Sequence, residues 1–355
     1  MDRRRFLQAL GLGLAGGACA AGASPAAPPP PPPAGAATPP PPAARAAPTR
    51  VTVASGVIGL GNAPVLVARE KGYFAAEGID LDWQLVQGGA AVAAGIASGD
   101  VQFGDGSAGD VVGLATRGMP VVAVIGITLK ITLDVVVRKD YAAAKGVTPQ
   151  SPLQERIAAL KGARMGVSSI GGAPDRYGRW LMTKGGFTTD DVENIRVGNV
   201  PEIRTALRQG LIEGTLSGMP TGPQLEQEGL GIILIRNSDV PEWEQFPYAL
   251  LYTTRTYAEQ NPDVVARVAR AVTRGARLFT DQPAEAIAVL REGFADVDPR
   301  IMAQSVEESK AAYSRDGRMT ELQWQNAMKV LVGSGAIASP PDTREGGVWT
   351  NQYLP

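Results

Sequence analysis

The sequence predicts an α/β protein with two lobes, each a mixed, mainly parallel sheet flanked by helices. Three observations support this. Between residues 51 and 128, four short apolar runs alternate with glycine-rich turns and helical segments, the pattern of a sheet whose crossovers are helices. A second run of the same kind spans about 138 to 247 and echoes the first. Residues 93–107 read helix, Gly99, strand and small residues, and residues 205–218 read helix, Gly210, strand and small residues. A final apolar strand at 248–253 is followed by segments of helical periodicity.

Composition then narrows the chemistry. The chain has 355 residues, 34 basic and 35 acidic side chains and a formal net charge of −1, which leaves no basic footprint for nucleic acid. Histidine is absent, which excludes Ser-His-Asp and Cys-His nucleophilic sites and histidine metal sites. The single cysteine, Cys19, lies in the leader, so the folded part has neither a disulfide nor a thiolate. No catalytic residue, cofactor or metal is expected, and a binding role fits better than an enzyme.

The first residues place Arg3 and Arg4 before Arg5, Phe6 and Leu7, and an apolar segment runs from 9 to 20. This resembles a twin-arginine export signal, assigned to residues 1–23. The cleavage point stays open. Ala18-Cys19-Ala20 fits a small-x-small site, and Gly17-Ala18-Cys19 resembles a lipoprotein box with Gly16 where Leu is usual, which makes Cys19 a candidate for lipidation. Residues 24–49 form a linker, with 12 prolines between 24 and 48. That composition gives a semi-rigid polyproline II spacer reaching about 75 Å when extended.

In the globular part, residues 51–54 read as a strand ending in a glycine-rich loop, and a helix opens at Pro64 and stops at Gly72. Strands follow at 79–83, 101–103 and 121–125, each leading into small residues and, after the first two, a helix. Gly104, Gly106 and Gly109 form G-x-G-x-x-G. The dinucleotide fingerprint also wants an acid about 20 residues on, at the end of the next strand. Here that strand ends in Gly126-Ile127-Thr128 and the first acid is Asp134, so a dinucleotide site is not supported.

The second unit has strands at 164–167, 194–197, 213–216 and 232–235. After 164–167 come Ser168, Ser169, Gly171 and Gly172, and then Pro174 at a helix start. Unpaired N–H groups and the helix dipole make such a turn either an anion site or an ordinary βα connection. Beyond the last strand, Val265, Val268, Val272, Ala276 and Phe279 form the apolar stripe of a helix capped by Asn261-Pro262. Asp298-Pro299 starts another, Thr320 and Gln323 form a capping box, and Gly333 ends that last helix. The tail from 340 is expected on the surface.

With the leader, Gly-Tyr-Phe-Ala-Ala-Glu-Gly-Ile-Asp-Leu-Asp at 72–82 resembles the solute-binding proteins of bacterial ABC importers. The branch is that for aliphatic sulfonates, taurine, nitrate and pyrimidine precursors of thiamine. Further matches are Ala-Ser-Gly-Asp-Val-Gln-Phe at 97–103, Leu-Lys-Gly-Ala-Arg-Met-Gly-Val at 160–167 and Gln-Asn-Pro-Asp at 260–263. The resemblance implies a type II periplasmic binding protein with lobe I from 50–137 and 248–355, lobe II from 138–247, and hinge strands at 134–137 and 248–253. It implies a monomer in the periplasm, free or anchored through Cys19, that takes up a small-molecule ligand and meets the permease of an ABC transporter in the inner membrane.

Carried over position by position, the ligand pocket involves Leu60, Asn62, Gln87, Gly88, Asp105, Ser107 and Thr128 of the first lobe. Ser168, Ser169, Gly172, Asn199 with Val200, and Met219 come from the second. Asp105 either caps the following helix or faces the cleft, where it suits an amine or a pyrimidine with donor groups better than a pure anion. Enzymes of the same fold that make the pyrimidine precursor rely on histidine and a cysteine-rich motif, neither of which occurs here. An exported sensor for the same ligands remains a second reading.

Overall fold

Two five-stranded sheets of one design organise the computed structural model, which describes residues 47–355 except Val57 and Gln87. The export signal, the linker to Ala46, Cys19 and the candidate Gln87 lie outside the described residues. Residues 47–355 form one compact unit. The first stretch runs β1 (Thr49–Ser55), α1 (Ala63–Glu70), α2 (Tyr73–Ala76), β2 (Ile79–Leu85), α3 (Gly88–Ser98), β3 (Phe103–Gly106), α4 (Ala108–Ala115) and β4 (Val121–Thr128). The middle runs β5 (Leu133–Val137), α5 (Lys139–Lys145), α6 (Leu153–Ala158), β6 (Arg164–Val167), α7 (Ala173–Lys184), β7 (Glu193–Arg196), α8 (Val200–Arg208), β8 (Gly214–Gly218), α9 (Thr221–Gln227) and β9 (Ile232–Ile235). The last stretch runs β10 (Ala249–Thr254), α10 (Arg255–Gln260), α11 (Pro262–Asp281), α12 (Pro283–Leu290), α13 (Pro299–Ser309) and α14 (Glu321–Gly333).

The sheets have the orders β2-β1-β3-β10-β4 and β7-β6-β8-β5-β9. In each, the first three strands pair in parallel and the fourth runs antiparallel to both neighbours. The fourth strand is the exchanged one. β5 follows β4 in the chain but stands in the second sheet, and β10 follows β9 but stands in the first. This corrects one boundary of the sequence reading. Residues 134–137 are not the end of lobe I, since Val135 registers opposite Leu216 inside the second sheet. Their valine run is buried on both faces and needs two neighbours, which chain continuity does not reveal.

The chain therefore crosses between sheets at 129–132 and again at 236–248. The two crossings lie side by side, with the Phe246 N–H donating to Leu129 O and the Ile131 N–H to Trp243 O, each at 3.0 Å. Paired crossings of this kind are where a two-lobed fold can bend.

Helix starts and stops follow local chemistry. Gly72 takes the left-handed conformation after α1, with φ 68°. At α14 the capping box forms as the sequence indicates, Thr320 N–H donating to Gln323 Oε1 at 2.9 Å and Gln323 N–H to Thr320 Oγ1 at 3.3 Å. The α11 stripe is fully buried, and at Gly275 a Cβ would sit 2.2 Å from Pro64 O, so α11 crosses α1 at backbone contact.

The tail departs from expectation. Instead of lying on the surface, Val348, Trp349 and Tyr353 are buried. Ala123 N–H donates to Val348 O and Thr350 N–H to Ala123 O, both at 2.9 Å, so the tail pairs with the open edge of β4. Trp349 stacks on Trp324 of α14 with ring centroids 6.4 Å apart. Burial of the indole outweighs the proline and glycine content that reads as loop. Among the described residues, no helix is long and apolar enough to cross a membrane.

Candidate functional site

A cavity of about 630 Å³ lies between the two lobes. It is lined by the loops after β1, β2, β3, β6, β7 and β8, with further residues from the crossings and from the α12–α13 loop. Strand ends face one another there because both sheets direct the carboxyl ends of their parallel strands to the cleft. Leu60, Asn62, Gly88, Asp105, Ser107, Ser168, Ser169, Gly172, Asn199, Val200 and Met219 all line it. Thr128 does not. It is fully buried, and its hydroxyl donates to Gly61 O at 2.8 Å, bracing the first loop from behind.

Asp105 is the deepest charge of the first lobe's wall, with 8% of its surface exposed. Ser55 Oγ and Asn62 Nδ2 each donate to its Oδ2 at 2.8 Å, and Asn62 Oδ1 accepts the Gly59 N–H at 3.2 Å. Burial pushes the Asp105 carboxyl up to about 6 against the lowering effect of the Asn62 and Ser55 donors, and the Asp110 charge adds to the rise. The cap of α4 is Ser107, not Asp105: Asp110 Oδ2 accepts the Ser107 N–H and hydroxyl, both at 2.8 Å. Of the two roles open to Asp105 in the sequence, the structure has the wall of the cleft.

Opposite stands Arg176 of α7, which sequence reasoning passed over as one more helical residue. Its Nη2 donates to Asp110 Oδ1 at 2.8 Å and to Ser107 Oγ at 3.2 Å, across the lobes. Burial pushes the Asp110 carboxyl up, but Arg176 and the Ser107 donors outweigh this and hold it below the usual carboxylate range. The glycines of G-x-G-x-x-G are explained by packing. A Cβ at Gly104 would meet Tyr252 Cζ at 2.4 Å, and one at Gly109 would meet Arg176 Nε at 2.6 Å.

The turn after β6 uses part of its donor capacity internally. Gly171 N–H donates to Asp175 Oδ2 at 2.8 Å and Gly172 N–H to Ser169 O at 3.2 Å, while Pro174 offers none. Asp175 in turn accepts from Asn194 Nδ2 at 2.6 Å and from Arg179 Nε at 3.0 Å. The chain's own carboxylate thus occupies part of the helix start that the sequence offers to an anion.

Two further contacts cross the cleft. Leu60 N–H points to Met219 O at 3.4 Å. On the other rim, Arg204 Nη1 donates to Asp296 Oδ2 and Gln224 Nε2 to Asp296 O, each at 3.0 Å. Thr132, Ser217, Thr221, Gln224, Tyr248 and Phe294 line the cavity without any local sequence signal that could have singled them out. Thr132 and Tyr248 arrive through the strand exchange, Ser217, Thr221 and Gln224 from β8 and α9, and Phe294 from the α12–α13 loop.

Two sheets of matched topology, joined by a double crossing and enclosing a polar-and-apolar cavity, define the two-lobed fold of periplasmic binding proteins. The sequence model of the NMT1/THI5-like family matches residues 61–286, and the chain belongs to that family. It is 23% identical over 295 residues to YtlA of Bacillus subtilis (strain 168), provisionally named a binding protein, covering 81% of this chain and 84% of that one. A protein structure from Bordetella bronchiseptica RB50 is similar with a TM-score of 0.73 and 24% identity, over 86% of this chain and 95% of the other. The periplasmic aliphatic sulphonate binding protein SsuA of Escherichia coli is similar with a TM-score of 0.66 and 15% identity, over 86% and 99% of the two chains.

Proposed function

We propose that the protein is exported by the twin-arginine route and captures a small organic solute between its lobes for delivery to the membrane subunits of an ABC importer. The observation that carries this is the cavity between the lobes, to which each lobe contributes hydroxyl and amide groups. Family membership and the binding-protein names of its relatives support the reading. The linker fits a domain held off an envelope surface, with Cys19 as the anchor if it is lipidated. On this reading the protein is a monomer in the periplasm and binds without chemistry. The lack of histidine, and of cysteine beyond Cys19, removes histidine-based and thiolate chemistry.

Thermal shift against sulfonates, carboxylates, nitrate, amines and pyrimidines tests the proposal. A ligand at 100 times its Kd adds about 2.7 kcal/mol to the stability. No shift with any member would sink the small-solute reading. Permease and ATPase genes beside this gene are expected for an importer, and their absence would favour an exported sensor.

A further inference from the structure

We propose that the solute carries a cationic nitrogen, such as a protonated amine or amidine, that seats on Asp105, with an apolar body filling the rest of the cleft. This rests on the solute-binding reading above and specifies its ligand class.

The argument starts from the charges of the cavity wall. Among the described residues that line it are three carboxylates, Asp105, Asp110 and Asp296, and no lysine or arginine. Two of the three already have cations: Asp110 has Arg176 at 2.8 Å and Asp296 has Arg204 at 3.0 Å. Asp105 has only neutral donors, Ser55 and Asn62, and both bond to Oδ2. Oδ1 accepts no hydrogen bond from the described residues, although the side chain is more than nine-tenths buried.

A carboxylate in this position is costly unless a positive charge reaches it. A sulfonate or nitrate seated beside it would add a like charge in a partly desolvated site, whereas an ammonium group would supply the missing partner. The other groups facing Asp105 leave this unchanged. Asp110 of α4 is matched by Arg176 of α7, and burial keeps the phenols of Tyr248 and of Tyr252 on β10 protonated. The second lobe adds no cation to the lining, and Asp175 already draws on the donors at the start of α7.

The body of the ligand follows from the rest of the wall. Leu133, Leu216, Met219, Phe294 and Val297 supply apolar surface inside. Ile58 and Leu85, also in the lining, stay 38% and 54% exposed, large apolar side chains left uncovered by the protein itself.

The test is a matched probe set on the full chain at pH 7.5: hexylamine, benzylamine and phenethylamine against the alcohols, carboxylates and sulfonates of the same carbon skeletons. Binding is read by thermal shift and then by calorimetry. The amines are expected to bind and the sulfonates to bind at least tenfold more weakly. Asp105→Asn is expected to weaken the amines at least tenfold while its apo melting temperature holds or rises. With the wild-type chain alone, amine affinity is expected to fall about tenfold from pH 7.5 to 5 as Asp105 gains a proton, the opposite sign from an anion-binding wall. Sulfonates binding in place of amines would overturn the cationic-ligand proposal and leave the solute-binding reading standing. The same holds for amines that ignore both Asp105→Asn and pH. No binding by any probe would count against both.

Discussion

Arg176 of the second lobe reaches across the cleft to Asp110 of the first, N to O at 2.8 Å, and both are largely withdrawn from solvent. Their separation in sequence is 66 residues, and no local pattern links them. The pair makes closure of the lobes electrostatic as well as steric, because an opened cleft would return both charges to water. Asp110 is also the residue that completes the cap of α4, so the latch is tied to the helix that follows the Asp105 wall.

Replacing Arg176 by Gln is expected to favour the open form, with a larger radius of gyration in small-angle scattering and about tenfold weaker ligand binding. Gly109→Ala tests the same contact from the other side, since the added Cβ would fall 2.6 Å from Arg176 Nε and displace the guanidinium. A closed, fully binding Arg176→Gln protein would show that the pair does not bias the lobes.

Asn62 and Ser169 both line the cavity but differ in what they hold. Asn62 is 4% exposed and bonds Asp105, Ser55 and the Gly59 N–H, so Asn62→Ala strips the carboxylate of a donor. A loss of about 1–3 kcal/mol in apo stability is expected from urea unfolding, together with weaker ligand binding. Ser169 is only half-buried, and Ser169→Ala is expected to change apo stability by less than about 0.5 kcal/mol while weakening the ligand. Equal apo stability of the two variants would contradict this division.

Asp134 gives a pH signature away from the cleft. Asn237 donates to its Oδ1 from N–H at 2.7 Å and from Nδ2 at 2.8 Å, while Oδ2 is buried without a partner. Burial pushes its carboxyl up to about 6 despite the Asn237 donors. Between the ordinary value near 4 and about 6 the folded state binds more protons than the unfolded one, so stability falls as pH rises through this window. Asp134→Asn removes the penalty. It is expected to exceed the wild type by up to about 3 kcal/mol at pH 7.5, with the gap closing near pH 4 in urea midpoints measured across that range.

The tail should matter to stability. Trp349→Ala removes a fully buried indole that stacks on Trp324 and donates to Thr343 O at 2.8 Å. A loss of about 3–5 kcal/mol is expected in chemical denaturation. A surface tail, as the proline and glycine content suggests, would lose almost nothing.

Much of this molecule was legible along the chain. Strand 164–167, strand 232–235, the Gly72 stop and the Thr320–Gln323 box depend on residues within a few positions of one another, and local hydrogen bonding and periodicity decide them. The loops after the strands were likewise placed at the cavity, because a parallel sheet puts its loops at the carboxyl ends of its strands wherever the partner lobe lies. Thr128 misled because a hydroxyl at a strand end is the same in sequence whether it faces a ligand or, as here, Gly61 O.

By itself the sequence determined the two α/β units, the small-residue turns between strand and helix, the absence of histidine, and the carboxylate at 105. Tertiary structure alone decided that β5 and β10 change sheets, that the tail closes the edge of β4, and that Arg176 claims Asp110 and leaves Asp105 without a cation. Those outcomes are contacts between residues tens to hundreds of positions apart. They are settled by which faces must be buried and which charges can be paired once the lobes meet, and no local pattern encodes that competition.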